Sequence, residues 1–217
     1  MTTSRVLTRR RALGSALALA ALARPALAAG LAATPRQTPG PFYPTTIPLD
    51  SDTDLVSVAG RPQEAAGQVT HLFGRILDQD GRPVSGVRVE IWQCDAFGRY
   101  HHPRDPNGTP DPNFQGYGQM VVGTDGAYRF RTIKPVPYPG RAPHIHFALS
   151  GAGLERLTTQ MYVAGEPQND RDFVLNRVQD EAARKSLIVD LTPAPDLEPK
   201  ALSGTFDIVL GGNTLKG

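Results

Sequence analysis

The chain has 217 residues and a formal net charge of +2 at pH 7, long enough for one domain with a full hydrophobic core. That near-neutral balance, with no Lys/Arg run beyond Arg9-Arg10-Arg11 and no basic helix, excludes a nucleic-acid-binding surface. Its 22 Gly and 20 Pro sit between short β-type runs, and its single cysteine, Cys94, excludes an intrachain disulfide, so the fold stands on its core alone.

Residues 1–28 read as an export signal and are set apart from the fold. Arg9-Arg10-Arg11 precedes a modest apolar run from Leu13 to Ala23, and Ala26-Leu27-Ala28 offers small residues for cleavage before Ala29. The run is too short to span a bilayer comfortably and is weakened by Gly14 and Ser15, so no stable membrane insertion is expected. Adjacent arginines resemble a twin-arginine signal, which addresses proteins that fold before export. A periplasmic or secreted location follows, and an address of that kind suits a protein with one lone cysteine.

Residues 29–66 carry no sustained period and read as an extended N-terminal arm, with the compact aromatic stretch Thr38-Pro39-Gly40-Pro41-Phe42-Tyr43-Pro44 expected to pack on the domain. The domain itself is assigned to residues 67–217. Alternation from Val69 to Leu77 predicts a first strand, Asp80-Gly81 a reversal, and Val87, Val89 and Ile91 a second strand with one face toward a core. Residues Asp95 to Asn113 form a long loop rich in Gly, Pro, Asp and His, a length that usually signals function in a compact domain. Gln119–Val122 and Tyr128–Arg131 flank a Thr124-Asp125-Gly126 turn; Leu157–Val163 and Ser203–Leu210 supply further strands, and Val178–Leu187 one short helix. The fold class is therefore all-β, a sandwich of mostly antiparallel short strands with long functional loops.

His144 and His146 flank one apolar residue on a predicted strand, so both imidazoles share a face and can aim at one point, half of a metal site. By itself such a pair leaves metal binding and an ordinary polar surface equally open. Upstream stand Tyr138 and Arg141 in a proline-rich stretch, and Gly98-Arg99-Tyr100-His101-His102 lies in the long loop. Taken singly, Arg141 reads as a partner of a surface carboxylate, His71 as a structural histidine, His101 and His102 as loop residues, and Trp92 and Cys94 as core.

With these blocks in order, the chain resembles the intradiol ring-cleaving dioxygenases, of the protocatechuate 3,4-dioxygenase and catechol 1,2-dioxygenase type. The matching text is Thr38-Pro39-Gly40-Pro41-Phe42-Tyr43, Gly74-Arg75-Ile76-Leu77-Asp78, Val89-Glu90-Ile91-Trp92-Gln93 and Gly98-Arg99-Tyr100. It continues through Asp111-Pro112-Asn113-Phe114, Tyr128 to Pro135, His144-Ile145-His146, Thr159-Gln160-Met161-Tyr162 and Phe206 to Leu210. The resemblance implies that Tyr100, Tyr138, His144 and His146 ligate one Fe(III), that Arg141 lies beside the ring under attack, and that Gln160 borders the same pocket. It implies a catecholic substrate and O2 as reactants, a muconate-type diacid as product, and a homo-oligomer. Phenolate is a hard anionic donor that suits ferric iron, and imidazole suits several transition metals. A non-catalytic periplasmic binding module on the same fold is the alternative; all four ligand positions and the arginine being present favours the enzyme. One departure stands out. Only Pro139 and Gly140 separate Tyr138 from Arg141, where the family carries a longer loop, so a reshaped pocket is expected.

Overall fold

The computed structural model describes residues 30–151 and 153–212; the export segment read at residues 1–28 lies outside them. Six longer strands come first: β1 (Val69–Asp78), β2 (Arg88–Trp92), β3 (Tyr117–Val121), β4 (Ala127–Ile133), β5 (His144–Gly151) and β6 (Leu154–Val163). After helix α1 (Glu181–Lys185) come the short strands β7 (Ile188–Val189), β8 (Thr192–Pro193), β9 (Leu202–Thr205) and β10 (Ile208–Leu210). They form two five-stranded sheets. In the first, β4 pairs antiparallel with β1, whose other partners β9 and β10 run parallel to it, and β8 lies beyond β9. The second runs β3-β2-β5-β6-β7, antiparallel except for the last pair.

The all-β sandwich expected from the alternation is the fold found, with more parallel pairing than the hairpin pattern implied. Two boundaries also differ. The single closing strand expected over Ser203–Leu210 is two strands, because Phe206 turns into the core and Asp207 caps the backbone N–H of Arg75 with its carboxylate at 2.8 Å. The helix expected over Val178–Leu187 contracts to Glu181–Lys185, started by Asp180, which accepts from the backbone N–H of Ala183 at 2.7 Å.

Gly74 marks the tightest approach in the first sheet. The Tyr128 hydroxyl donates to the Phe206 carbonyl directly over it, and a Cβ at position 74 would overlap both groups. Gly74→Ala is therefore expected to destabilise the protein by about 1–3 kcal/mol, the usual cost of overpacking. Urea unfolding would show a lower midpoint, and an unchanged midpoint would refute the crowding.

Strand alternation divides each residue pair between two faces. On β5, Ile145, Phe147 and Leu149 join Leu72, Ile76, Phe130, Val89, Ile91 and Met161 in the core between the sheets. His144, His146 and Ala148 then fall on the opposite face of the second sheet. A second buried cluster sits on that outer face, formed by Trp92, Cys94, Tyr100, Tyr117 and Ala148. Burial pushes the Cys94 thiol up to about 12, which leaves it a small inert hydrophobe.

The arm is tied down along its length. The backbone N–H groups of Leu31, Thr34 and Gln37 donate to the carbonyls of Gln79, Val209 and Thr158, and Leu55 and Val56 are fully buried. It then covers the outer face of the second sheet, where Phe42 and Tyr43 pack on the second cluster.

Candidate active site

Strand register assembles the floor of the site. Tyr117 pairs with Trp92, Trp92 with His146 and His146 with Gln160, a row across four strands; His144 pairs with Tyr162 beside it. Directly opposed side chains of this kind lie within contact distance. The Trp92 indole stacks on the His146 imidazole with centroids 4.7 Å apart and planes at 4°. The two imidazoles meet, with 3.2 Å between their Nε2 atoms. His144 Nδ1 donates to the Ala142 carbonyl at 2.6 Å, which leaves its Nε2 lone pair facing the cluster. Burial first, and then Arg141, pushes His144 down to about 4; burial and the neighbouring His144 hold His146 well below the usual range. Both rings are neutral at pH 7, the form that binds a metal.

Two phenols complete the group. Tyr100 comes from the long loop, which is organised by the buried carboxylate of Asp95: it accepts from the backbone N–H groups of Phe97 (2.8 Å), Arg99 (2.9 Å) and Asp111 (2.7 Å). Tyr138 is set by the Pro139-Gly140 turn. The N–H of Arg141 donates to the Tyr138 carbonyl at 2.9 Å, and Gly140 has φ of +81°, as a type II turn with Pro in its second position requires. The Tyr100 ring lies 5.5 Å from that of Tyr138 and 6.4 Å from His146, and Tyr138 lies 5.6 Å from His144. Burial raises both phenols above their ordinary pKa, Tyr100 the more strongly. The Tyr100 hydroxyl is buried with no hydrogen-bond partner. An unpaired buried hydroxyl costs about 1–3 kcal/mol, so this one adds nothing to stability within the protein.

Arg141 closes one side, buried and with its orientation fully determined. Nε donates to Asp172 Oδ2 at 2.8 Å, and Nη2 donates to Gln160 Oε1 at 2.6 Å and to the Tyr162 hydroxyl at 3.2 Å. Asp172 also accepts from the backbone N–H groups of Ala142, Val174 and Leu175, each at 2.9 Å. Over the top runs the arm. Gln160 Nε2 donates to the Thr38 carbonyl at 2.8 Å, and Phe42 lies 4.9 Å from Tyr100. Gly40, at φ +67°, presses its backbone on the His146 ring, and a Cβ there would sit 3.3 Å from Cε1.

All six residues singled out in the sequence thus come together. The surface-carboxylate reading of Arg141 is corrected: its partner, Asp172, is fully buried. His101 bonds the Asp111 carbonyl in the loop, and His71 sits in the other sheet beside Arg129 and Glu198. Sequence reasoning missed Asp172, Tyr162 and the stacking role of Trp92. Tyr162 was within reach, two residues from Gln160 on the same strand face; nothing local points to Asp172.

Among the described residues no group of three or more His, Cys, Asp or Glu is placed to hold a metal. A metal ion at this cluster would need the phenols, and two phenols with two neutral imidazoles are a donor set suited to ferric iron. An all-β sandwich carrying such a set beside an oriented guanidinium offers a candidate metal centre. A family model described as dioxygenase matches residues 38–212. The protocatechuate 3,4-dioxygenase beta chain of Burkholderia cepacia is 42% identical over 170 residues, covering 74% of this chain and 72% of that one. Catechol 1,2-dioxygenase of Acinetobacter baylyi is 33% identical over 184 residues, and the chain spans only 56% of its length. The dioxygenase domain of a dioxygenase–carbohydrate-binding fusion from Streptomyces sp. SirexAA-E superposes with a TM-score of 0.65 at 31% identity, over 83% of this chain and 99% of that one. The chain belongs to the intradiol ring-cleaving dioxygenase family.

Proposed function

We propose that Tyr100, Tyr138, His144 and His146 hold one Fe(III), and that the protein uses O2 to open a catecholic ring between its two hydroxylated carbons. The observation that carries this is the convergence of two neutral imidazoles with a buried, unpartnered phenol and a half-buried one on one side of the second sheet. Ferric iron, when bound, supplies chelation of the catechol as a dianion and makes the ring reactive toward O2, with a cis,cis-muconate-type diacid as product.

The residues of the chain do the rest. Tyr138, half-buried where Tyr100 is fully buried, would, once ionised as a metal ligand, be the phenolate that takes the catechol's proton at Oη. Arg141 is fixed through Nε and Nη2, and a fixed guanidinium stabilises negative charge that develops on the ring. Trp92 fixes the plane of His146, while Gly40 and Phe42 exclude water from the face of the imidazole and phenol cluster.

A visible spectrum of the iron-loaded protein tests the reading. A broad tyrosinate-to-iron band that shifts on anaerobic addition of catechol is expected; a protein that stays colourless after iron loading would overturn it. We also propose, from Arg9-Arg10-Arg11 and Ala26-Leu27-Ala28 alone, export of the folded protein followed by cleavage before Ala29. Terminal sequencing of the protein recovered outside the cytoplasm would find Ala29 first; an intact start at Met1 would reject cleavage.

A further inference from the structure

Beside Tyr138 and Arg141 lies a cavity of about 390 Å³, also walled by Pro137, Gly140, Gln168 and Arg171. That volume is within the ~300–1,000 Å³ of ligand pockets. The short turn between Tyr138 and Arg141 keeps it open, for nothing lies within 4 Å of where a side chain at Gly140 would begin.

The charges on its walls do not cancel. Arg141, on the inner wall, is buried, and Asp172 beneath it is committed to that guanidinium and to three backbone N–H groups. Arg171, on the outer wall, is exposed at the end of the turn Pro167–Arg171. Its guanidinium makes no hydrogen bond or ion pair with any described residue, although Asp170 and Asp172 adjoin it in the chain. The cavity is therefore lined by a phenol, an oriented guanidinium and an uncompensated exposed cation.

We propose that this cavity is a subsite for an anionic arm on the catechol, with Arg171 as the residue that selects it. The diol lies beside Tyr138, and a carboxylate carried a few atoms off the ring reaches Arg171, whose planar fork matches it with two parallel hydrogen bonds. The preferred substrate is thus a catechol with a short carboxylate-ended side chain, a narrower class than catechols at large. The inference rests on the reading of the site as a catechol dioxygenase.

Dihydrocaffeate, which has a two-carbon arm ending in carboxylate, and its neutral methyl ester separate the charge from the shape. The iron-loaded wild type is expected to show kcat/KM about tenfold higher for the acid, near 1.4 kcal/mol, the scale of a hydrogen bond to a charged group. Arg171→Gln should bring the acid-to-ester ratio to within about twofold, and Arg171→Lys, which keeps the charge, should retain part of the preference. Anaerobic calorimetry should show the same acid preference in Kd, lost in Arg171→Gln. Equal handling of acid and ester by the wild type, or a ratio untouched by Arg171→Gln, overturns the subsite. Should the loaded enzyme cleave no catechol at all, the reading of the site falls, while the calorimetric ratio still decides the role of Arg171.

Discussion

Tyr138→Phe is expected to lower catechol cleavage by at least about 100-fold while leaving the fold intact. Partners that merely orient a metal ligand are worth about 10–100-fold when removed, so loss of a ligand oxygen should reach or exceed the upper end. The substitution removes one hydroxyl and nothing else. The ring keeps its contacts with Phe42 (6.0 Å), Tyr100 and His144, and the Pro139-Gly140 turn does not depend on the hydroxyl. Thermal unfolding should therefore stay close to wild type while turnover and the visible band both collapse. Tyr100→Phe provides the comparison: its hydroxyl is buried and unpartnered in the protein, so its removal should relieve an unpaired group and raise metal-free stability as iron affinity falls. Wild-type turnover in Tyr138→Phe would mean that the phenol is no ligand and takes no proton.

The second large effect is expected at Asp172. Its carboxylate is fully buried, paired with Arg141, and ties the 141–142 segment to residues 174–175. Breaking a buried pair from one side leaves an uncompensated charge and costs about 3–5 kcal/mol. Asp172→Asn keeps the shape but removes the charge and turns one acceptor into a donor, facing backbone N–H groups. A large drop in the urea midpoint should come with slowed turnover, because Arg141 and the adjoining Tyr138 turn lose their anchor. Stability within about 0.5 kcal/mol of wild type, the range of surface substitutions, would show that the pair holds nothing. The pH dependence follows the same group. Burial pushes the Asp172 carboxyl up, but hydrogen bonds from Arg141 and from the Leu175 and Ala142 N–H groups outweigh it and hold its pKa below the usual carboxylate range. A carboxyl depressed in the folded state adds stability above its unfolded pKa and loses it as pH falls through the folded one. Acid should therefore destabilise the wild type more steeply than Asp172→Asn.

Much of this molecule was legible in the chain because the relevant geometry is local. Alternation along β1, β2 and β5 set the faces, and one intervening residue was enough to put His144 and His146 on the same side, with Ile145 in the core. Pro139-Gly140 announced the turn that brings Tyr138 beside Arg141, and Asp80-Gly81 the first reversal. The break at Phe206-Asp207 escaped because apolar alternation continues through it; the turn inward is dictated by the Phe73 carbonyl and the Arg75 N–H on another strand.

What the tertiary structure alone decided is the company each residue keeps. Arg141 and Asp172 are 31 residues apart, and Thr38 and Gln160 are 122 apart. No pattern of propensity or spacing encodes such pairs, since they exist only once β2, β5 and β6 have taken one register and the arm has crossed their outer face. That register makes the buried Trp92 also the plate against which His146 is held, and it turns the arginine's expected surface partner into a buried one. The sequence by itself determined which donors this protein carries and which of them share a strand face; their convergence needed long-range strand pairing, because only packing brings side chains from separate loops and strands to one point.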